Sequence, residues 1–201
     1  MTKTEAIEIT GGLSAESKMP GPAWGIPASA CHRGSRLAKQ KGTVCSNCYA
    51  NKNSYTWSNV RPAFERRLRA LKHPRWKEAM ITLVKGRDYF RWLGSGDIQG
   101  AGHLHKMFDV CEATPDTKHW LPTRETDYVD KVLKVRAKPD NLALRISADY
   151  INEPLKPNSL GLPVAGVWDT NYDCPASQQD NACGDCRRCW DPKANVIYRN
   201  H

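Results

Sequence analysis

The run Cys183-Gly-Asp-Cys186-Arg-Arg-Cys189, with Cys174-Pro175 a short way upstream, constrains this chain more than any other feature. Three cysteines at strict three-residue intervals can each reach a different iron of a cubane, whereas a zinc ion prefers C-x2-C knuckles delivered in separated pairs. A remote fourth cysteine followed by proline matches ferredoxin-type ligation. The spacing predicts a [4Fe-4S] cluster on Cys174, Cys183, Cys186 and Cys189, with a zinc knuckle or a disulfide pair as alternatives.

The wider composition agrees. The chain has 201 residues and 8 cysteines, no N-terminal apolar stretch resembling a signal peptide, and no run long enough to span a bilayer. That reads as a cytoplasmic protein without a membrane partner, in a compartment where thiols stay reduced. Seven of the eight cysteines fall in two clusters, which favours metal ligation over a disulfide framework. The length suits one domain, read here as residues 20–201 behind a polar segment 1–19.

The other cluster is Cys31, Cys45 and Cys48, spaced C-x13-C-x2-C, with three ligands and no obvious fourth. Two readings stand side by side. In one, these cysteines hold a [4Fe-4S] cluster with an iron open to a small molecule. In the other, the cluster or a zinc ion is closed by a remote residue such as His32, or these cysteines share one cofactor with the C-terminal run. Cys111 shares a helical stripe with Leu104, Met107 and Phe108, so it reads as core. His103 and His105, at the start of that helix, are candidates for proton carriers or ligands, or are solvent-facing residues.

The formal net charge is +9 with cysteines counted neutral. Each four-thiolate cluster contributes roughly −2, so two would leave the total nearer +5 or +6. Lys and Arg gather in residues 33–41, 61–77 and 131–138. They can face a nucleic acid or a host protein, or form solvated faces around buried anionic clusters.

The first twenty residues are polar and aperiodic and read as loop, leading into Pro20-Gly21-Pro22. Ser58 and Asn59 can cap a helix carrying Phe64, Leu68 and Leu71 on one face; a second, opening at Pro74, carries Trp76, Met80 and Leu83. Short apolar runs at 89–93, 118–121, 142–146 and 164–168 then alternate with helices at 104–111 and 127–135. Crossovers of this length join parallel strands, so an α/β fold is expected: an abbreviated, partial barrel-like parallel β/α arrangement or an open sheet, with cysteine-rich N- and C-terminal loops.

In either form ligands sit at the carboxyl ends of the strands. These ends carry Gly94-Ser95-Gly96-Asp97-Ile98-Gln99, Thr123-Arg124-Glu125, Ser147-Ala148-Asp149-Tyr150 and Asp169-Thr170-Asn171. Gly94, Ser95 and Gly96 suit close backbone approach to a bound cofactor, Asp97 and Glu125 can accept hydrogen bonds from it, and Arg124 can pair with a carboxylate.

Cys45-Ser-Asn-Cys48-Tyr49-Ala50, Leu93-Gly-Ser-Gly-Asp97, Leu121-Pro-Thr-Arg124 and the closing Cys183-x2-Cys186-x2-Cys189-Trp190 resemble the phage "gene product 88" family over roughly residues 20–192. The Cys-Tyr-Ala and Leu-Gly-Ser-Gly-Asp elements also resemble phage proteins related to radical S-adenosylmethionine (SAM) enzymes. The resemblance implies a barrel-like α/β fold with iron–sulfur chemistry, encoded by a phage and working in the host bacterial cytoplasm. Radical SAM enzymes usually carry C-x3-C-x2-C and a Gly-Gly-Glu strand end, which this chain lacks. Three functions follow: an iron–sulfur protein engaging a host protein or nucleic acid, an enzyme with an open cluster binding SAM, or a zinc-stapled domain.

Overall fold

The computed structural model describes residues 1–200. Six strands, β1 (Ala23–Trp24), β2 (Tyr89–Trp92), β3 (Lys118–Thr123), β4 (Leu142–Ile151), β5 (Val164–Trp168) and β6 (Val196–Arg199), form one sheet in strictly sequential order. Every neighbouring pair is parallel. Sequential order is the winding of a β/α barrel, whereas a doubly wound sheet reverses at a switch point. The expected α/β fold is present, and the strand order selects its barrel-like form.

The sheet's two faces are packed differently, as strand alternation dictates. In β2, Phe90 and Trp92 are fully buried against the helical layer, while Tyr89 and Arg91 face the other way. That layer consists of α4 (Trp76–Val84), α5 (Ala101–Ala113) and α6 (Thr126–Leu133), and its main core joins Trp76, Met80, Leu104, Phe108 and Val129 to Trp24, Trp92, Leu121 and Leu144. Cys111 lies in this core, fully buried as its helical stripe predicts.

Residues 3–10, expected as loop, form helix α1 (Lys3–Thr10). A reciprocal capping box between Thr2 and Glu5 starts it, and Gly11 at φ +77° ends it. Ala6 packs on Ala79 and Leu83 of α4. The apolar stripe is too short to register as a period, so the capping pair was the available signal. The helix beginning at Val60, α3 (Val60–Ala70), follows the expected Phe64 stripe, but Arg67 sits on that stripe and is buried. It donates to Ser14 Oγ at 2.8 Å, and burial lowers its pKa to about 10.

The opposite face of the sheet is covered by the β5–β6 connection, which contains no α-helix. Trp190 and Cys189 from this connection pack against Trp120 of β3, together with Tyr89 and Tyr198. Trp190 donates its indole N–H to the Phe90 carbonyl at 3.0 Å. In a closed barrel this volume is filled by side chains of facing strands. Here a cysteine-bearing segment fills it.

Candidate functional site

Arg145 anchors that segment. Its position in Leu-Ala-Leu-Arg-Ile puts it on the face opposite Leu144, where it is fully buried. The guanidinium donates to the carbonyls of Arg188, Cys189, Asp191 and Ala194 at 2.8–3.2 Å, so one side chain gathers the end of the cysteine run. Tyr198 Oη lies 3.1 Å from Cys189 Sγ. Arg91, half-buried on the same face, stacks its guanidinium over Trp120 at 4.5 Å and donates to Tyr49 Oη at 3.0 Å. Its Nε and the indole nitrogen of Trp120 are buried donors without an acceptor.

The four C-terminal thiols influence one another and the nearby cations electrostatically. Burial raises the pKa of Cys174, Cys183 and Cys189, the last to about 11. Cys174 and Cys186 push Cys183 up, while Arg187 and Arg91 pull it down. All eight cysteines are free thiols. Among the described residues no three His, Cys, Asp or Glu side chains converge into a single coordination sphere.

The first cysteine group lies in the β1–β2 connection, and three strand ends grip it. After β2, Gln99 donates its side-chain amide to the Ala30 carbonyl at 3.0 Å, and the Gly94 carbonyl accepts from Tyr49 Oη at 2.9 Å. After β3, Glu125 accepts the Arg33 backbone N–H at 2.7 Å. Near the end of β4, Tyr150 forms an isolated bridge with Thr43, whose side chain caps the turn carrying Cys45. Gly34 lies between the thiols: a Cβ there would stand 3.5 Å from Cys45 Sγ and 3.6 Å from Cys31 Sγ. Burial drives the Cys31 pKa far up, aided by Asp97, Cys48 and Cys45. His32 instead meets Tyr128, with Nδ1 3.1 Å from its hydroxyl.

Three of the four polar strand ends thus surround this group. The fourth is engaged elsewhere, since Asp169 accepts from Asn152 and Asn200. Arg124 donates to the Ala148 carbonyl, with Asp149 Oδ1 3.9 Å away, and Asp149 also pairs with Arg33 at 2.5 Å. Gly25 and Gly96 let residues 94–96 pack against the 25–26 backbone, where Ile26 N–H donates to the Ser95 carbonyl at 3.0 Å.

Asp97 ties strand ends together. Its carboxylate accepts from Ile98 N–H, Thr123 Oγ1 and Arg124 N–H at 2.5–3.0 Å. Burial outweighs these bonds and raises its pKa to about 6. Because the folded value exceeds the ordinary aspartate value of 3.8, the folded state holds this proton more tightly. Asp97's contribution to stability is therefore fully present below about pH 4 and is lost as pH rises to about 6. Carbon-13 NMR of the Asp97 carboxyl should show a midpoint near pH 6; a midpoint at or below the unfolded value would overturn this balance.

A family model described as "Gene product 88" matches residues 2–192. The chain belongs to the gene product 88 family. The match takes in α1 as well as both cysteine groups, extending beyond the region carrying the motif resemblance. No curated protein or solved structure matches the chain. Among the described residues, no helix is long and apolar enough to cross a membrane.

The expected basic clusters of this gene product 88 protein have separate fates. In 131–138, Lys134 and Arg136 form ion pairs with Asp130, Asp109 and Glu112, and Lys138 donates to backbone carbonyls. In 61–77, Arg67 is buried, Arg75 pairs with Glu5, and Lys77 pairs with Asp109. Arg61, Arg66, Arg69 and Lys72 remain exposed. His103, a candidate proton carrier, is 8% exposed, and burial lowers its pKa to about 3. It is neutral at physiological pH and accepts the Gln99 N–H through Nδ1. Sequence reasoning placed Arg33 only in a basic cluster and did not find Arg91 or Arg145. For the latter two, the signal was a charge embedded in an apolar strand.

Proposed function

We propose that this phage-type protein binds iron–sulfur clusters, one [4Fe-4S] group on Cys174, Cys183, Cys186 and Cys189 and a second on Cys31, Cys45 and Cys48, and engages a nucleic acid through its exposed basic face. One observation carries the reading: Arg145 is a fully buried cation whose contacts are all to neutral carbonyls, beside an all-cysteine donor set. Burying an uncompensated charge is costly, and four thiolates around a cluster supply anionic compensation. The unpartnered donors of Arg91 and Trp120 on the same face suit sulfur acceptors. At the first group, Gly34 leaves room between two thiols that a larger residue would fill. When bound, such a group supplies one-electron transfer. The protein's own residues shield it, with Trp190 covering the face and Arg145 holding the segment that carries Cys189.

Anaerobic purification followed by iron and sulfide analysis tests this reading. Brown protein with matching iron and sulfide is the expected result, and Cys186→Ser should lose the C-terminal share. Colourless, folded protein with stoichiometric zinc would overturn it. A second reading, in which the first group holds an open cluster that binds SAM, is favoured by the three polar strand ends around Cys31 and Cys45. Reduced protein would then release 5′-deoxyadenosine from added SAM, and Cys48→Ser would not.

A further inference from the structure

We infer that the nucleic acid bound by this face is single-stranded, its phosphates following Arg61, Arg66, Arg69 and Lys72 while a base stacks on Trp57. The inference rests on the proposed nucleic-acid reading and narrows it. Trp57 is 61% exposed, and its carbonyl accepts the Arg61 N–H at 3.1 Å, so the ring stands one turn before the first cation. At 100° per residue, Arg61, Arg69 and Arg66 fall within about 140° of arc on α3, opposite the side carrying buried Phe64 and Arg67. No described residue forms an ion pair with these cations, so their charge is available to phosphates.

Behind Arg61 opens a cleft of about 460 Å³, lined by Tyr55, Phe64, Glu65 and Ser95 among others. Tyr55 and Phe64 lie parallel with centroids 6.0 Å apart, and the Ser95 hydroxyl is buried without a partner. An exposed indole and an aromatic cleft with a spare hydrogen-bonding group serve unpaired bases. A duplex keeps its bases inside the stack and can use the cations alone.

Fluorescence anisotropy with a labelled dT oligonucleotide of about 15 nucleotides, set against a duplex of the same length, tests the inference. The single strand should bind more tightly, and four phosphate contacts should weaken its binding about fifty-fold between 50 and 200 mM salt. Trp57→Ala should weaken single-strand binding about fivefold or more and leave duplex binding within about twofold. Arg66→Glu with Arg69→Glu should weaken both. Equal binding of strand and duplex, or Trp57→Ala without effect on a protein shown by circular dichroism to be folded, would overturn the single-strand inference and leave the nucleic-acid reading standing. Binding of neither probe at 50 mM salt would overturn both.

Discussion

Arg145→Leu is expected to lower the thermal unfolding midpoint by about 10 °C, because it removes a buried side chain that gathers four carbonyls of the segment 188–194. Each buried acceptor left unpaired costs about 1–3 kcal/mol, but part of the segment can move out to water, which limits the total to about 3–5 kcal/mol. At this chain length each kcal/mol shifts the midpoint by about 2–4 °C. Arg145→Lys should fall between, since an ammonium keeps the charge but cannot fan its donors across four acceptors. Cys189, 9% exposed in the native protein, should react faster with a thiol reagent in the leucine variant. An unchanged midpoint and unchanged Cys189 reactivity would show that Arg145 does not hold the segment.

Gly96→Ala should destabilise the protein by about 2–5 kcal/mol, the sum of a left-handed backbone and a crowded Cβ. Gly96 has φ +80°, and a Cβ there would stand 2.8 Å from the Ile26 carbonyl oxygen and collide with the Ile26 side chain. Relief requires residues 94–97 to move, which pulls on the Gly94 carbonyl that holds Tyr49 and on the carboxylate knot at Asp97. Gly86→Ala is the control, with φ +76° and nothing within 4 Å of the added atom, so it isolates the backbone part. Denaturant midpoints should fall much further for Gly96→Ala than for Gly86→Ala, at similar slope. Equal shifts would mean that Ile26 yields freely.

Much of the fold was legible because its central elements are periodic. The stripe Trp76, Met80, Leu83 and the run 164–168 correspond to α4 and β5 as formed. β1, with two residues, is too short to produce an alternating pattern, and it pairs because its neighbour already exists. Arg67 was hidden by composition rather than geometry: amid a basic run it looks solvated, yet the spacing from Phe64 to Leu71 already puts it on their side of the helix. The strand-end residues around Cys31, Cys45 and Cys48 were legible as a group, because sequential parallel strands bring their carboxyl ends together. Their individual partners were not. Whether Asp97 meets a ligand or binds Thr123 and Arg124 depends on how closely residues 94–97 approach β3. The location of the C-terminal cysteines was illegible because the sequence does not reveal which face of the sheet a helix-free connection will cross.

That route has a consequence for the order of assembly. The contacts that draw residues 188–194 onto the sheet join Arg145 to partners 43–49 positions away along the chain, and β6 pairs with β5 beyond that segment. Contacts of such separation form after the local helices and hairpin-scale neighbours, since loop closure must come first. Strands β2 to β5, whose pairings span shorter stretches of chain, precede these contacts by the same rule, and docking of Trp190 then covers their exposed face. Burial of Cys189 beneath this segment is thereby tied to the rate at which the last strand finds its place.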